Sequence, residues 1–134
     1  MSHYIDIVTE IRDQDALLQA LGRLGFGTGK VEVYKDPTNL YGYQGDKRSQ
    51  LAHVIIRRRF VGAASNDIGF LRQDDGRFVS HISEYDQSRY NTTWQNKLST
   101  YYGVEKSKIE LSKKGLSFAE DLDEQQRPRI RVRL

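Results

Sequence analysis

Between residues 5 and 11 apolar and polar positions alternate, with Ile5, Ile7, Thr9 and Ile11 on one side, the period of a strand that buries one face. The period then becomes helical. Asp13 offers a cap, Leu17, Ala20, Leu21 and Leu24 share a face, and Gly25 ends the run. The segment KVEVY, residues 30–34, predicts a second strand stopped by Pro37, and LAHVIIRRRF, residues 51–60, a third. The first half of that third segment is apolar on both sides, which predicts a central strand. IGFLRQ and RFVSHISEY flank Asp74-Asp75-Gly76, a hairpin signal. Thr92 and Gln95 fit a capping box for a longer helix whose stripe is Tyr90, Trp94, Leu98, Tyr101 and Tyr102, continuing past Gly103 to Gly115. LSFAEDL and the alternating RIRVRL close the chain. The expectation is one α+β domain over residues 1–134, with a mostly antiparallel sheet and two main helices on one face, a ferredoxin-like variant. Residues 116–134 are expected as a terminal hairpin with a mobile acidic loop.

Composition narrows the chemistry. The chain has 134 residues, 37% of them hydrophobic, enough for one core but not two. It contains no cysteine, which removes disulfides, thiolate zinc sites, iron–sulfur clusters and cysteine nucleophiles. With 21 basic and 18 acidic residues the net charge is +3, too small to imply nucleic acid unless the positive charges share a face. No stretch approaches the ~18 apolar residues that a membrane helix needs, and the start MSHYIDIVTE lacks the features of a secretory signal. A soluble, intracellular protein without membrane insertion is expected.

Motifs for catalysis are weak. GFGTGK has three residues between Gly25 and Gly29 where a phosphate loop has four; Val31 follows the lysine in place of Ser or Thr, and the segment leaves a helix to enter a strand. A helix cap and turn explain it better. His53 and His81 could approach each other across paired strands, with Asp67 or Glu84 nearby, but no metal-binding spacing accompanies them. No nucleophile elbow surrounds Ser65 or Ser80. No catalytic residue, metal or cofactor is assigned, and an enzyme is the less favoured class.

NLYGYQGDKRSQLAHVIIRRRFVGAASNDIGF, with MSHYIDI, SEYD and YNTTWQNKL, resembles a family of small proteins encoded in cyanobacterial and some plastid genomes. That family is catalogued as hypothetical chloroplast reading frame thirty-five and as a domain of unknown function. The likeness is densest over residues 39–85. It implies an oxygenic phototroph and a location in the cytoplasm or plastid stroma, and it carries over no functional residue.

What remains is a candidate surface. In NLYGYQGDKRS, Gly42 and Gly45 permit a shaped loop that presents Tyr41 and Tyr43 beside Gln44, Asp46, Lys47 and Arg48. Arg57 and Arg59 would share one face of the third strand, and Arg129, Arg131 and Arg133 one face of the last, opposite Ile130, Val132 and Leu134. If that strand joins the sheet, the five arginines share an uncovered face fit for an anionic partner. The rival readings are that Glu32, Glu84 or the acidic run 120–124 pairs with those arginines, and that the tyrosines fold back onto the core. The expected function is a non-enzymatic binding module recognising a macromolecule, a protein ahead of nucleic acid, with the oligomeric state open. The alternative is an enzyme or small-ligand binder with a pocket between the tyrosine loop, residues 41–46, and the turn at residues 63–67, using Arg59, Asn66, Asp67 and His81.

Overall fold

In a computed structural model, which describes residues 2–133, the alternating segments pair into one five-stranded antiparallel sheet. Its strands are β1 (Tyr4–Val8), β2 (Glu32–Tyr41), β3 (Lys47–Ile56), β4 (Ile68–Arg72) and β5 (Phe78–Ser83), in the order β1-β5-β4-β3-β2. Helices α1 (Gln14–Arg23) and α3 (Thr92–Lys113) pack on one face, and a single helical turn, α2 (Arg58–Val61), links β3 to β4. The expected α+β domain with two main helices is therefore what forms. A strict ferredoxin-like sheet is also antiparallel between neighbours but leaves one strand between the two parallel strands that a helix joins, whereas three lie between β1 and β2 in this order. Here every pairing is antiparallel, and α1 carries the chain from the edge strand β1 to the opposite edge, β2.

The core follows the predicted faces. Leu17, Ala20 and Leu21 of α1 and Leu98 of α3 meet Val54, Ile56, Ile68, Phe70, Phe78 and Ile82 of the sheet. A smaller cluster, Leu40, Ala52 and Ile55 with Tyr4 and Tyr34 against it, lies beside it. Asp13 caps α1 by accepting a hydrogen bond from Ala16 N at 3.0 Å. The cap of α3 is Asn91, one residue earlier than expected: Asn91 Oδ1 accepts from Trp94 N at 3.1 Å, while Gln95 Nε2 donates back to Tyr90 O at 3.0 Å. The helix runs unbroken through Gly103 and stops before Gly115, whose φ of 70° is the left-handed conformation that glycine adopts at least cost.

Three segments differ from expectation, each for a local reason. β2 runs on through Pro37, because the register shifts between Val33 and Thr38 and the proline sits in that irregularity. β3 ends at Ile56, so Arg57, Arg58 and Arg59 are not strand residues; Arg57 precedes α2, and Arg58 and Arg59 lie on it. The C-terminal segment does not join the main sheet. β6 (Ser117–Leu122) and β7 (Pro128–Arg133) form their own antiparallel hairpin packed against α3. Leu134, expected on its apolar side, lies outside the described residues.

The hairpin is fastened by charge. Arg23 of α1 holds Glu120 of β6 with both guanidinium branches, at 3.0 and 2.7 Å, and Lys108 of α3 reaches the same carboxylate at 2.7 Å. Those hydrogen bonds, Arg23 first and Lys108 second, hold the Glu120 carboxyl down at about 2.

Candidate functional site

The predicted five-arginine face does not form, since Arg57 and Arg59 line a groove beside the main sheet while Arg129, Arg131 and Arg133 belong to the separate hairpin. Arg129 and Arg131 project from the outer side of the hairpin and share the Asp121 carboxylate, at 2.8 and 2.9 Å. Arg133 is exposed at the end of β7. These distances favour the rival reading, in which the acidic run supplies the partner. Arg48 is also engaged: Nη2 donates to Ser2 O at 2.8 Å, and the guanidinium lies 5.1 Å from the Tyr4 ring centre. Arg57 is held between two carboxylates, with Nε 2.9 Å from Glu32 and Nη1 2.8 Å from Asp67. Burial works against its charge, but hydrogen bonds with Tyr34, Asp67 and Glu32 prevail and hold it above the ordinary arginine value.

The tyrosine loop is built from beneath. Asn66 and Asp67, in the turn before β4, are 0% and 1% exposed, and their side chains bind the backbone of that loop. Asp67 Oδ2 accepts from Tyr41 N at 2.7 Å, and Oδ1 accepts from Arg58 N at 2.7 Å. Asp67 N donates to Tyr41 O at 2.9 Å, and Tyr4 Oη donates to Asp67 O at 2.6 Å. Asn66 Oδ1 accepts from Tyr43 N at 2.9 Å. On its other side Asn66 donates through N to Asp86 Oδ2 at 3.0 Å and through Nδ2 to Ser83 Oγ at 2.8 Å. A buried carboxylate whose acceptor sites are filled by backbone N–H groups and a guanidinium fixes those groups relative to one another. Asp67 Oδ1 thereby turns the chain at Arg58, the physical reason β3 stops where it does.

The loop itself is closed by Gly45, with a φ of 78°, whose N donates to Gly42 O at 2.9 Å. Gly42 N in turn donates to Asp46 O at 2.8 Å. A side chain at position 42 would collide with the Asp46 carboxylate, 2.5 Å from where its Cβ would sit. On this base the rings of Tyr41 and Tyr43 remain 39% and 37% exposed. They are neither lids on the core nor free in solvent. Gln44 and Lys47 are exposed alongside them.

Two concavities meet at this loop. A groove of about 650 Å³ is lined by Tyr41, Gly45, Arg58, Arg59, Gly62 and Ala63, with Glu32, Arg57 and Asp67 also contributing. A hollow of about 330 Å³ is lined by Ser2, Tyr43, Ala64 and Tyr85. Among the described residues Arg58 and Arg59 meet no carboxylate: Arg58 Nη1 donates to Tyr43 O at 3.0 Å, and Arg59 lies 4.7 Å from the centre of the Phe60 ring.

The alternative site therefore forms only in part. Arg59 lines the groove beside the tyrosine loop, but Asn66 is consumed by the internal network and Asp67 presents only what Arg57 and the backbone leave. His81 stands elsewhere, on β5, with Nδ1 2.7 Å from Asp6 Oδ1 and its ring edge-on to Tyr4. His53 does not converge with it, since His53 Nδ1 accepts from Arg72 N at 3.0 Å. Sequence reasoning missed Arg58, because a strand that puts Arg57 and Arg59 on one face turns the residue between them away, and Tyr85, which is 56% exposed beside Tyr43.

The fold and surface define an α+β domain with a prebuilt aromatic and cationic loop, and residues 20–132 match the family described as "Protein of unknown function (DUF1257)". The chain belongs to that family. No curated protein and no solved structure matches it. No helix among the described residues is long and apolar enough to cross a membrane.

Proposed function

We propose that the protein is a non-enzymatic binding module whose tyrosine loop, with Arg58 and Arg59, recognises a protein partner. The observation that carries this reading is the anchoring of the Tyr41 and Tyr43 amides by the buried side chains of Asp67 and Asn66. Ordering a loop costs conformational entropy at the moment of binding, and a loop already held by hydrogen bonds to buried side chains incurs less of that cost. Tyrosine and arginine are also the residue types that dominate interface energetics, because each offers large contact area with a polar end. Lys47 and Gln44 supply a polar rim.

The resemblance to the hypothetical chloroplast reading frame thirty-five family extends the proposal to an oxygenic phototroph, with the cytoplasm or plastid stroma as the compartment. A second reading, a small anionic ligand in the 650 Å³ groove, is favoured by one feature, the three guanidinium groups that line it.

The test is a photo-crosslinking residue at position 43, with position 122 on the hairpin as control, in a phototroph extract. Wild type should crosslink a protein from position 43 and not from 122. Tyr41→Ala and the pair Arg58→Ala with Arg59→Ala should lose it while retaining the wild-type denaturation midpoint. Crosslinks that survive all three substitutions would refute the surface.

A further inference from the structure

The two concavities are neighbours of opposite character, and their adjacency specifies more than a general binding surface. Ala63 lines the groove and Ala64 lines the hollow, so the two are adjacent along the backbone, about 3.8 Å apart from Cα to Cα. Tyr43 joins them from the other side: its ring lines the hollow, while its carbonyl holds the Arg58 guanidinium that lines the groove. The hollow is lined by Tyr43, Tyr85 and Ala64 together with Ser2, a mainly apolar and aromatic setting for one apolar side chain. The groove carries three guanidinium groups against two carboxylates. Arg57 bonds both carboxylates, Glu32 and Asp67, so Arg58 and Arg59 have no carboxylate in direct contact among the described residues and the groove keeps a net positive charge.

We infer that this surface takes an extended peptide segment of its partner, with an apolar side chain in the Tyr43–Tyr85 hollow and an Asp or Glu side chain between Arg58 and Arg59. The inference rests on the protein-partner reading above and adds the chemistry of the partner. An extended chain advances about 3.3 Å per residue, so the acidic residue lies one to three positions from the apolar one. Guanidinium groups suit a carboxylate because they donate in a planar fork. An RNA strand fits this surface less well. Affinity for a strand grows with the number of phosphates neutralised, and only two guanidinium groups of the groove are free to neutralise any. The Glu32 carboxylate in the same groove repels a polyanion while leaving room for one small anion.

The experiment is selection of a displayed random heptapeptide library against the wild-type protein. Fluorescence anisotropy of the enriched peptides then follows, on wild type and on Arg58→Ala/Arg59→Ala, Tyr85→Ala and, as control, Leu122→Ala. A random twelve-nucleotide RNA serves as the competing probe. The expected result is enrichment of Asp or Glu within three positions of Leu, Ile, Phe or Trp. Affinity should fall about tenfold or more in the arginine pair and in Tyr85→Ala and stay unchanged in the control. Enriched peptides without an acidic residue whose binding depends on Tyr85 would overturn the inference and leave the binding surface standing. RNA bound through Arg58 and Arg59 more tightly than any peptide would overturn it in favour of nucleic acid. Peptides indifferent to every one of these residues would overturn both the inference and the surface. Circular dichroism of each variant establishes that a loss of binding is not a loss of fold.

Discussion

Asp67 and Asp121 both hold arginines in this protein, and their surroundings make them different devices. Asp67 lies under the tyrosine loop, 1% exposed, and binds Arg57 together with the amides of Tyr41 and Arg58. Asp121 lies on the outer side of the hairpin and binds Arg129 and Arg131 in contact with solvent. The ion pairs have nearly the same length, 2.8 Å in each best contact. In water such a pair gains little, since solvation and salt compete with it. Under the loop the same pair cannot be broken without leaving a buried charge and several backbone donors unmatched. Length alone therefore says nothing about what an ion pair does, whereas depth and the identity of the other donors do.

The largest expected break in this contrast is Asp67→Ala. It strips partners from Arg57, Tyr41 N and Arg58 N together, and urea denaturation should show a loss of about 3–5 kcal/mol. Asn66→Ala comes next. It frees the Tyr43 amide and removes the Nδ2 group that donates to Ser83 Oγ and to Asp86 Oδ2, with an expected loss of about 2 kcal/mol by the same measurement. The backbone bond from Asn66 N to Asp86 survives that substitution, which is why its effect is smaller.

Acid should separate the regions by a different route. The Glu120 carboxyl sits at about 2 in the folded protein against an ordinary value of 4.5. A carboxyl depressed on folding contributes stability that is complete above its unfolded value and is lost as pH falls through its folded one. The stability difference between wild type and Glu120→Gln should thus be constant above pH 4.5 and shrink as the pH falls toward about 2, as read from denaturation midpoints. The smallest effect is expected for Asp121→Ala, which should leave the denaturation midpoint unchanged within error, because its arginines return to water. A midpoint shift comparable to that of Asp67→Ala would remove the distinction between the two regions.

How much of this was legible in the sequence follows the range of the forces involved. The α1 cap at Asp13, the β4–β5 hairpin and the apolar stripe of α3 are set by neighbours within a turn or two, and they could be read from spacing. The end of β3 could not. It depends on a carboxylate ten positions away that captures Arg57 and the Arg58 amide, while the run IIRRRF by itself continues the strand pattern. The C-terminal arginines alternate as in a sheet strand, but the same alternation serves a two-stranded hairpin, and the cross-strand Asp121 that pairs with two of them is visible only once the register is known. The glycines around Tyr41 and Tyr43 correctly signalled a shaped loop. The residues that shape it from below, Asn66 and Asp67, were read as pocket residues because buried and exposed polar side chains look alike in a sequence.

The claim that the tyrosine loop is a prebuilt surface is tested most directly by amide hydrogen exchange at Tyr41 and Tyr43, resolved by NMR in wild type and in Asn66→Ala. The account predicts protection of both amides comparable to the β3–β4 ladder in wild type, with protection lost at Tyr43 in the variant and kept at Tyr41. Exchange at both sites in wild type as fast as in an unstructured chain would contradict it.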